Sequence, residues 1–433
     1  MVEIRKPIPV STAVEKVLSK AKTGEKITVA IGESQGYFLA DDIVADHDVP
    51  AFDRSPYDGF AIRAEDTESA SRENPIQLQV IGEIGAGTVF DGEVEANQAV
   101  RIMTGAQIPS GSNAVIMLEH VEEKEVNGEK WVSIDRELKP QENVTPKGED
   151  TKKGEVIVKK GTYISPGVMA VLATFGYSKV PVSKKPKVGI ISTGSELLSV
   201  EEELVPGKIR DSNSQMLIGQ IERAGGIPVL FGRFKDDFDL CYDQVVQALD
   251  EVDIVLTTGG VSVGDYDYIP AILKKLQADV LFNKVKMRPG SVTTVASVKD
   301  KFIFGLSGNP SSCYVGFEIF VRPVIRRRLY CPNAFLRCEK VTLGETFQKP
   351  NPFDRFVRGK LLFEDGRGVA YPTGLDKPNI VTSLASADVL IRLPGGSTGY
   401  DKGTEVDALF LNDQTGSRTW LNTELKERAS ISE

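Results

Sequence analysis

From Lys187 to Arg328, apolar runs of strand length alternate with stretches of helical period. Lys187-Val188-Gly189-Ile190-Ile191-Ser192 reads as a strand, Ser214 to Ala224 as a helix, Ile227 to Leu230 as a strand and Phe238 to Leu249 as a helix. The β-branched run Asp253 to Thr258 is the next strand, followed by glycines, acids and a helix reaching about Leu276. Val280 to Val285 and Phe302 to Leu306 add two strands, and Pro310 opens a helix to Arg328. Strands alternating with helices predict a doubly wound, mostly parallel sheet.

Both flanks have another rhythm. The lead predicts a helix with Thr12 and Glu15 as a capping box and Val14, Val17, Leu18 and Ala21 as its apolar stripe. Lys26 to Ile31 follows as a strand, and Gly36 to Ala40 as a helix start or turn. From residue 51 to 144 short strands such as Phe60 to Ile62, Ile76 to Val80 and Ala114 to Leu118 alternate with turns, with Gly82 to Gly87 separating two of them. That is the pattern of a small β module. Arg355 to Leu362, Asp388 to Leu393 and Thr404 to Phe410 predict a second one, a barrel or sandwich, before the chain turns polar near Asn412.

Composition narrows the class. A chain of 433 residues exceeds one ordinary core and predicts about three domains on length alone. No apolar run approaches a membrane span and the N-terminus lacks a signal-peptide core, so the cytoplasm is the expected compartment, without membrane attachment. A net charge of -9 argues against a nucleic-acid partner. Four cysteines without a C-x-x-C pair and two distant histidines, His47 and His120, give no zinc or disulfide framework. Any metal would be seated by carboxylates and phosphates, which favours magnesium.

The candidate chemistry lies where strands run into glycines. Asp253 to Asp267 empties an apolar strand into Gly259, Gly260, Ser262 and Gly264 and ends in acids. Absent Cβ atoms uncover backbone amides suited to phosphate, pterin or oxyanion groups, although one such loop is equally a ligand-free turn. Loops after Ser192, Thr258 and Leu306 all leave strand carboxyl ends, where open α/β sheets bind ligands, and three together favour a nucleotide-like or phosphate ligand. Turn chemistry alone also accounts for Asp58-Gly59, and a solvated loop for Lys147 to Asp150.

Seven stretches occur in one order: Ser55 to Arg63, Arg101 to Ala106, Gly148 to Asp150, Ser192 to Leu197, Gly207 to Asn213, Thr258 to Tyr268 and Ser307 to Pro310. On these the chain resembles the MoeA family of molybdopterin molybdenumtransferases, whose relatives include the E domain of gephyrin. The resemblance implies an elongated four-domain subunit, multidomain α/β plus β. Its discontinuous domain I is expected at 1–50 and 145–185 and its β domain II at 51–144. A MogA-like α/β domain III is expected at 186–331 and a C-terminal β-barrel, domain IV, at 332–433. It further implies a homodimer with the site between domain III of one subunit and domain II of its partner. An upstream molybdopterin adenylyltransferase would be a further partner. The implied reaction joins molybdate to adenylated molybdopterin with Mg2+ and releases AMP.

Carried over by motif, the catalytic candidates are Asp58, Thr104, Asp150, Glu196, Asp236 and Asp267, with Asp236 and Asp267 near the metal and Glu196 nearer the pterin. Substrate contacts are expected from Thr193, Gly194, Gly259, Gly260, Ser262, Gly264, Gly308, Asn309 and Pro310. Lys284 and Arg288, on the strand entering Pro289-Gly290, would receive molybdate or phosphate, and Arg358 matches a family basic residue. Three positions depart from the pattern. Arg288 stands where many relatives have lysine, exchanging a point charge for a planar fork. Ser307 replaces a frequent proline, which loosens its loop, and Gly374 to Asn379 lacks the serine associated with molybdate contact. Two other readings compete. A molybdopterin adenylyltransferase shares the domain III fold but usually carries Thr-Gly-Gly-Thr-Gly, unlike Thr258 to Gly264 here. A peptide-binding scaffold like the gephyrin E domain would need a groove beside domain IV.

Overall fold

A computed structural model describes residues 6–234, 238–259 and 268–421. The chain forms two compact units, one of Met1–Asp41, Lys160–Ala170 and Ser178–Glu433, the other of Asp42–Lys159 and Val171–Tyr177. The fold class is multidomain α/β plus β.

The first unit is built on a six-stranded sheet in the order Ile227–Phe234, Lys187–Thr193, Ile254–Thr258, Lys301–Leu306, Thr294–Val298, Asp279–Phe282. The first four are parallel and the last two antiparallel. Every residue of Ile254–Thr258 is buried, because helices cover both faces of a parallel sheet. Alternation divides these apolar residues between two cores. Ile254, Leu256, Phe302 and Phe304 join Leu217, Ile221 and the helices after Pro310 on one side. Val255 and Ile303 join Cys241, Val245, Ile269 and Ile272 on the other. Ser212–Ala224 begins where the Asp211 carboxylate accepts from the Ser214 amide and ends at left-handed Gly225, φ 98°.

A second six-stranded sheet runs Met287–Arg288, Asp354–Glu364, Arg367–Pro372, Cys338–Leu343, Glu405–Phe410, Val389–Leu393. An added pairing of Asp354–Glu364 with Val389–Leu393 closes five of these strands into a barrel. Met287–Arg288 adds in parallel to its outside, with Arg288 opposite Arg355. The second unit holds an independent six-stranded sheet around Gly59–Ile62, with Phe60, Ile62, Leu78, Ile116 and Val132 in one of its cores.

Four local expectations are corrected. The first helix starts at Val10, not behind a Thr12 cap: Pro9 precedes it and its carbonyl takes the first helical bond from Ala13 N at 3.0 Å. Thr12 therefore falls inside the first turn. The Gly82-Glu83-Ile84 segment continues the strand Ile76–Ile84 instead of breaking it. A Cβ on Gly82 would meet the Phe90 ring at 2.7 Å, so this glycine makes room for an aromatic. The strand beginning at Asp279 stops at Phe282, because Val285 bridges to Ile8; Lys284 is consequently not on a strand. Finally, the long helix after Pro310 contains a π-helical stretch at Phe317–Val321.

That stretch holds Glu318, whose fully buried side chain accepts from Gln220 at 2.7 Å and pairs with Arg223, while its Oε2 has no partner. Burial opposes the Arg223 charge, but Glu318 and Tyr314 beside it hold its pKa above the usual arginine value. Arg223→Ala would strand that carboxylate and should cost about 3–5 kcal/mol in urea unfolding. In the second unit a Cβ on Gly59 would lie 2.0 Å from the Ile116 carbonyl oxygen on the neighbouring strand. Gly59→Ala should destabilise that sheet by about 2–3 kcal/mol, measured by the same method, with unit one unaffected.

Candidate functional site

Three strands of the first unit end at one level, and their loops meet on glycine backbone. Gly259 follows Thr258 with φ 86°, and its amide donates to the Leu306 carbonyl at 3.1 Å. A Cβ at Gly259 would sit 2.7 Å from the Thr193 carbonyl oxygen, and one at Gly308 would sit 3.6 Å from Gly259 Cα. The close approach at Gly259 excludes a side chain there, while Gly308 stands in ordinary contact with it, so main chain forms the floor at this point.

Polar side chains fix that floor from beneath. Ser192 Oγ donates to Asp211 Oδ2 at 2.7 Å, and Thr193 Oγ1 donates to the Thr258 carbonyl at 3.2 Å. Asn213 Nδ2 donates to the Gly308 carbonyl at 2.9 Å, tying the Ser307–Asn309 loop to the helix that Asp211 caps. Ser307 Oγ accepts from Asn309 N at 3.2 Å, which restores local order where the missing proline was expected to loosen the loop.

Above the floor is a cleft of about 690 Å³. Of the expected residues, Glu196, Gly259, Arg288, Gly308 and Asn309 line it. Pro310 adjoins the lining Asn309 at the first position of its helix, whereas Thr193 and Gly194 do not line the cleft and precede the lining Glu196 in the chain. Lys284 does not line it; its carbonyl accepts from Ile8 N at 3.2 Å, drawing this segment toward the N-terminal lead. Gly260, Ser262, Gly264, Asp236 and Asp267 lie outside the described residues. Among the described residues no cluster of three or more histidine, cysteine or carboxylate side chains could hold a metal.

The cleft has a second wall, supplied by the barrel, that sequence reasoning missed. Arg355 and Asp376 line it, and the exposed side chain of Arg288 makes no hydrogen bond or ion pair among the described residues. Arg358, expected as a substrate contact, is instead 1% exposed and spends its donors on the loop below. Its Nη1 reaches Asp376 at 3.1 Å, its Nη2 the Leu375 carbonyl at 3.0 Å and its Nε Ser383 Oγ at 3.2 Å. Burial pulls the Arg358 pKa below the usual arginine value, and Asp376 counteracts that pull. Only the strand register, pairing Arg288 with Arg355, reveals this wall; nothing in their sequence spacing signals it.

The second unit brings together two more candidates. Asp58 precedes the strand Gly59–Ile62 and Thr104 follows Gln98–Ile102, and Gly59 pairs with Ile102, so the two loops leave side by side. Asp58 Oδ1 accepts from Thr104 Oγ1 and from Thr104 N, both at 2.7 Å. The Thr104 hydroxyl, then its amide, hold the Asp58 carboxyl below its usual range. Asp150 is not joined to this pair; its amide donates to the Val49 carbonyl at 3.0 Å.

Comparison with known proteins accounts for the whole chain. Residues 8–176 match the MoeA N-terminal region (domain I and II), 189–327 a probable molybdopterin binding domain, and 340–411 the MoeA C-terminal region (domain IV). A molybdopterin molybdenumtransferase of Bacillus subtilis (strain 168) is 53% identical over 417 residues, covering 96% of this chain and 97% of that protein. One from Staphylococcus aureus (strain COL) is 48% identical over 97% of this chain and 100% of its own length. The crystal structure of a molybdopterin biosynthesis moeA protein from Pyrococcus horikoshii OT3 superposes with a TM-score of 0.80 at 35% identity, covering 94% of this chain and 100% of that one. With near-complete coverage in both directions, the chain belongs to the MoeA family.

Proposed function

We propose that this protein is a molybdopterin molybdenumtransferase, which joins molybdate to adenylated molybdopterin and releases AMP. The observation that carries the reading is the cleft, where the closely packed glycine loops and the Arg288 side chain, without a partner among the described residues, line one space. Both substrates are anionic. Loop backbone suits the phosphates and pterin, and an exposed guanidinium at the cleft wall suits a tetrahedral oxyanion.

In this reading Arg288 receives molybdate, while Glu196 hydrogen-bonds the pterin. Water cleaves the P–O–P bond of the adenylated substrate and AMP departs; the dithiolene sulfurs bond molybdenum as the displaced oxo groups leave as water, taking up the thiol protons and protons from solvent. Asp58 contributes its carboxylate: Oδ1 is consumed by Thr104, and Oδ2 remains an acceptor for substrate or water. Magnesium, seated through Asp236 and Asp267 with the substrate phosphate, would neutralise phosphate charge; these ligands are proposed from sequence alone. Asp150 is assigned to the same chemistry, and the working form is a homodimer supplied by an upstream adenylyltransferase.

The test mixes purified protein with adenylated molybdopterin, molybdate and magnesium and follows AMP together with molybdenum cofactor. Molybdate-dependent AMP release is expected; attachment of AMP to molybdopterin with ATP would instead identify an adenylyltransferase. Arg288→Ala should reduce kcat/KM for molybdate by about 10–100-fold, the value of one charge-assisted contact. Asp58 gives a pH signature. Its folded carboxyl titrates below its ordinary value, so the Thr104 bonds are fully present above that ordinary value and are lost as pH falls through the lower one. Thr104→Val removes the hydroxyl but keeps the amide, and an NMR titration should find the Asp58 pKa raised part of the way back toward 3.8.

A further inference from the structure

Parallel pairing sets Arg288 directly opposite Arg355, at the interstrand spacing of about 4.8 Å. Like charges directly opposed repel, and here a third arginine, Arg358, lies buried nearby. The compensating charge is Asp376. Its Oδ2 accepts from Arg355 Nη1 at 2.5 Å and its Oδ1 from Arg358 Nη1 at 3.1 Å, and its side chain is only 8% exposed. Lys349 Nζ donates to the Asp376 carbonyl at 2.9 Å. Asp376 nevertheless lines the cleft beside Arg288 and Arg355. A carboxylate thus stands directly beside the two arginines of the cleft wall, in addition to Glu196 elsewhere in the lining.

We propose that Asp376 is the resident counter-ion of Arg355 and Arg358 and sets how tightly the cleft beside Arg288 holds its oxyanion. The proposal rests on the reading of the cleft given above. Two features argue that the carboxylate stays in place and shares the site rather than leaving as substrate enters. Its loop is fastened on both sides, by Arg358 to the Leu375 carbonyl and by Ser311, whose N donates to the Pro378 carbonyl at 3.0 Å and whose Oγ donates to the Ile380 carbonyl at 2.7 Å. Arg355 is also partitioned. Asn351 takes its Nε at 3.1 Å and Asp376 its Nη1, leaving only Nη2 without a partner among the described residues. The edge of Arg355 formed by Nε and Nη1 is therefore engaged within the protein, leaving the Nη2 group for a ligand, and the field of the cleft is reduced by one negative charge. Weakened holding suits an enzyme that must pass its oxyanion on to a second substrate, because binding shared equally by ground and transition state gives no rate.

Asp376→Asn keeps the shape and an acceptor oxygen but removes the charge, leaving two buried guanidinium groups under-compensated. Those groups should then recruit the oxyanion. Titration calorimetry of the full chain with sodium molybdate should give a Kd at least about 10-fold lower for the variant than for wild type. Molybdate should also raise the melting temperature of the variant more than that of wild type. Asp376→Glu, which retains the charge, should stay within about twofold of the wild-type Kd. General damage to the site would weaken binding, so tightening is a signature that a purely structural role does not produce. Equal or weaker binding by Asp376→Asn, or a variant that melts early without molybdate rescue, overturns the proposal. If wild type binds no molybdate and Arg288→Ala changes nothing, the reading of the cleft falls and this proposal with it. If wild type binds and Arg288→Ala weakens it, the cleft reading stands whatever Asp376 does.

Discussion

The site depends on how closely three main chains can approach one another. With φ 86° and 2.7 Å between a would-be Cβ and the Thr193 carbonyl oxygen, Gly259 admits no larger residue. Its amide bond to Leu306 then aligns the loop after Ile254–Thr258 with the loop after Lys301–Leu306. Strand pairing fixes the heights of the loops, and the glycines fix their spacing. Asp211, Asn213 and Thr193 add hydrogen bonds that hold carbonyls and hydroxyls turned inward and fix the loops in place. Rigid backbone is suited to this task because it requires little reorganisation as charge arrives.

Electrostatics enters from the barrel side. Met287–Arg288 leaves the α/β part and pairs with Asp354–Arg355, so a single register brings two guanidinium groups to the same wall. The barrel also supplies the restraint, through Asp376 and the wholly buried Arg358. The acid in the second unit is handled differently. Asp58 is exposed, and neutral donors from one residue, Thr104, depress its pKa without an ion pair.

Much of the framework was legible because its physics is local. Fully apolar runs such as Ile254 to Leu256 announce buried parallel strands, and the Asp211 cap and Gly225 stop delimit their helix at short range. Thr294–Val298 was missed because small and polar residues surround it after Pro289-Gly290, and its antiparallel partner follows in the chain. Arg358 was legible as a basic residue but not as a buried one. Its role follows from Leu375, Asp376 and Ser383, which lie 17 to 25 residues away. Lys284 failed for a comparable reason, since Ile8, far upstream, captures its segment. The glycine loops were visible, whereas the cationic wall is a product of tertiary register.

The outer position of Met287–Arg288 bears on how this chain could be divided. The family boundaries invite excision of residues 189–327 as a module, which holds all six strands of the α/β sheet except for Lys187 and Val188. Met287–Arg288 would not retain its partner, because the hydrogen bonds that orient it come from Asp354–Arg355 beyond the cut. Its exposed amides and carbonyls would turn to water, and Arg288 would lose the fixed backbone that aims it. The module boundary drawn by sequence therefore separates Arg288 from the barrel strand that holds it, and the smallest piece that keeps the cleft whole includes the barrel.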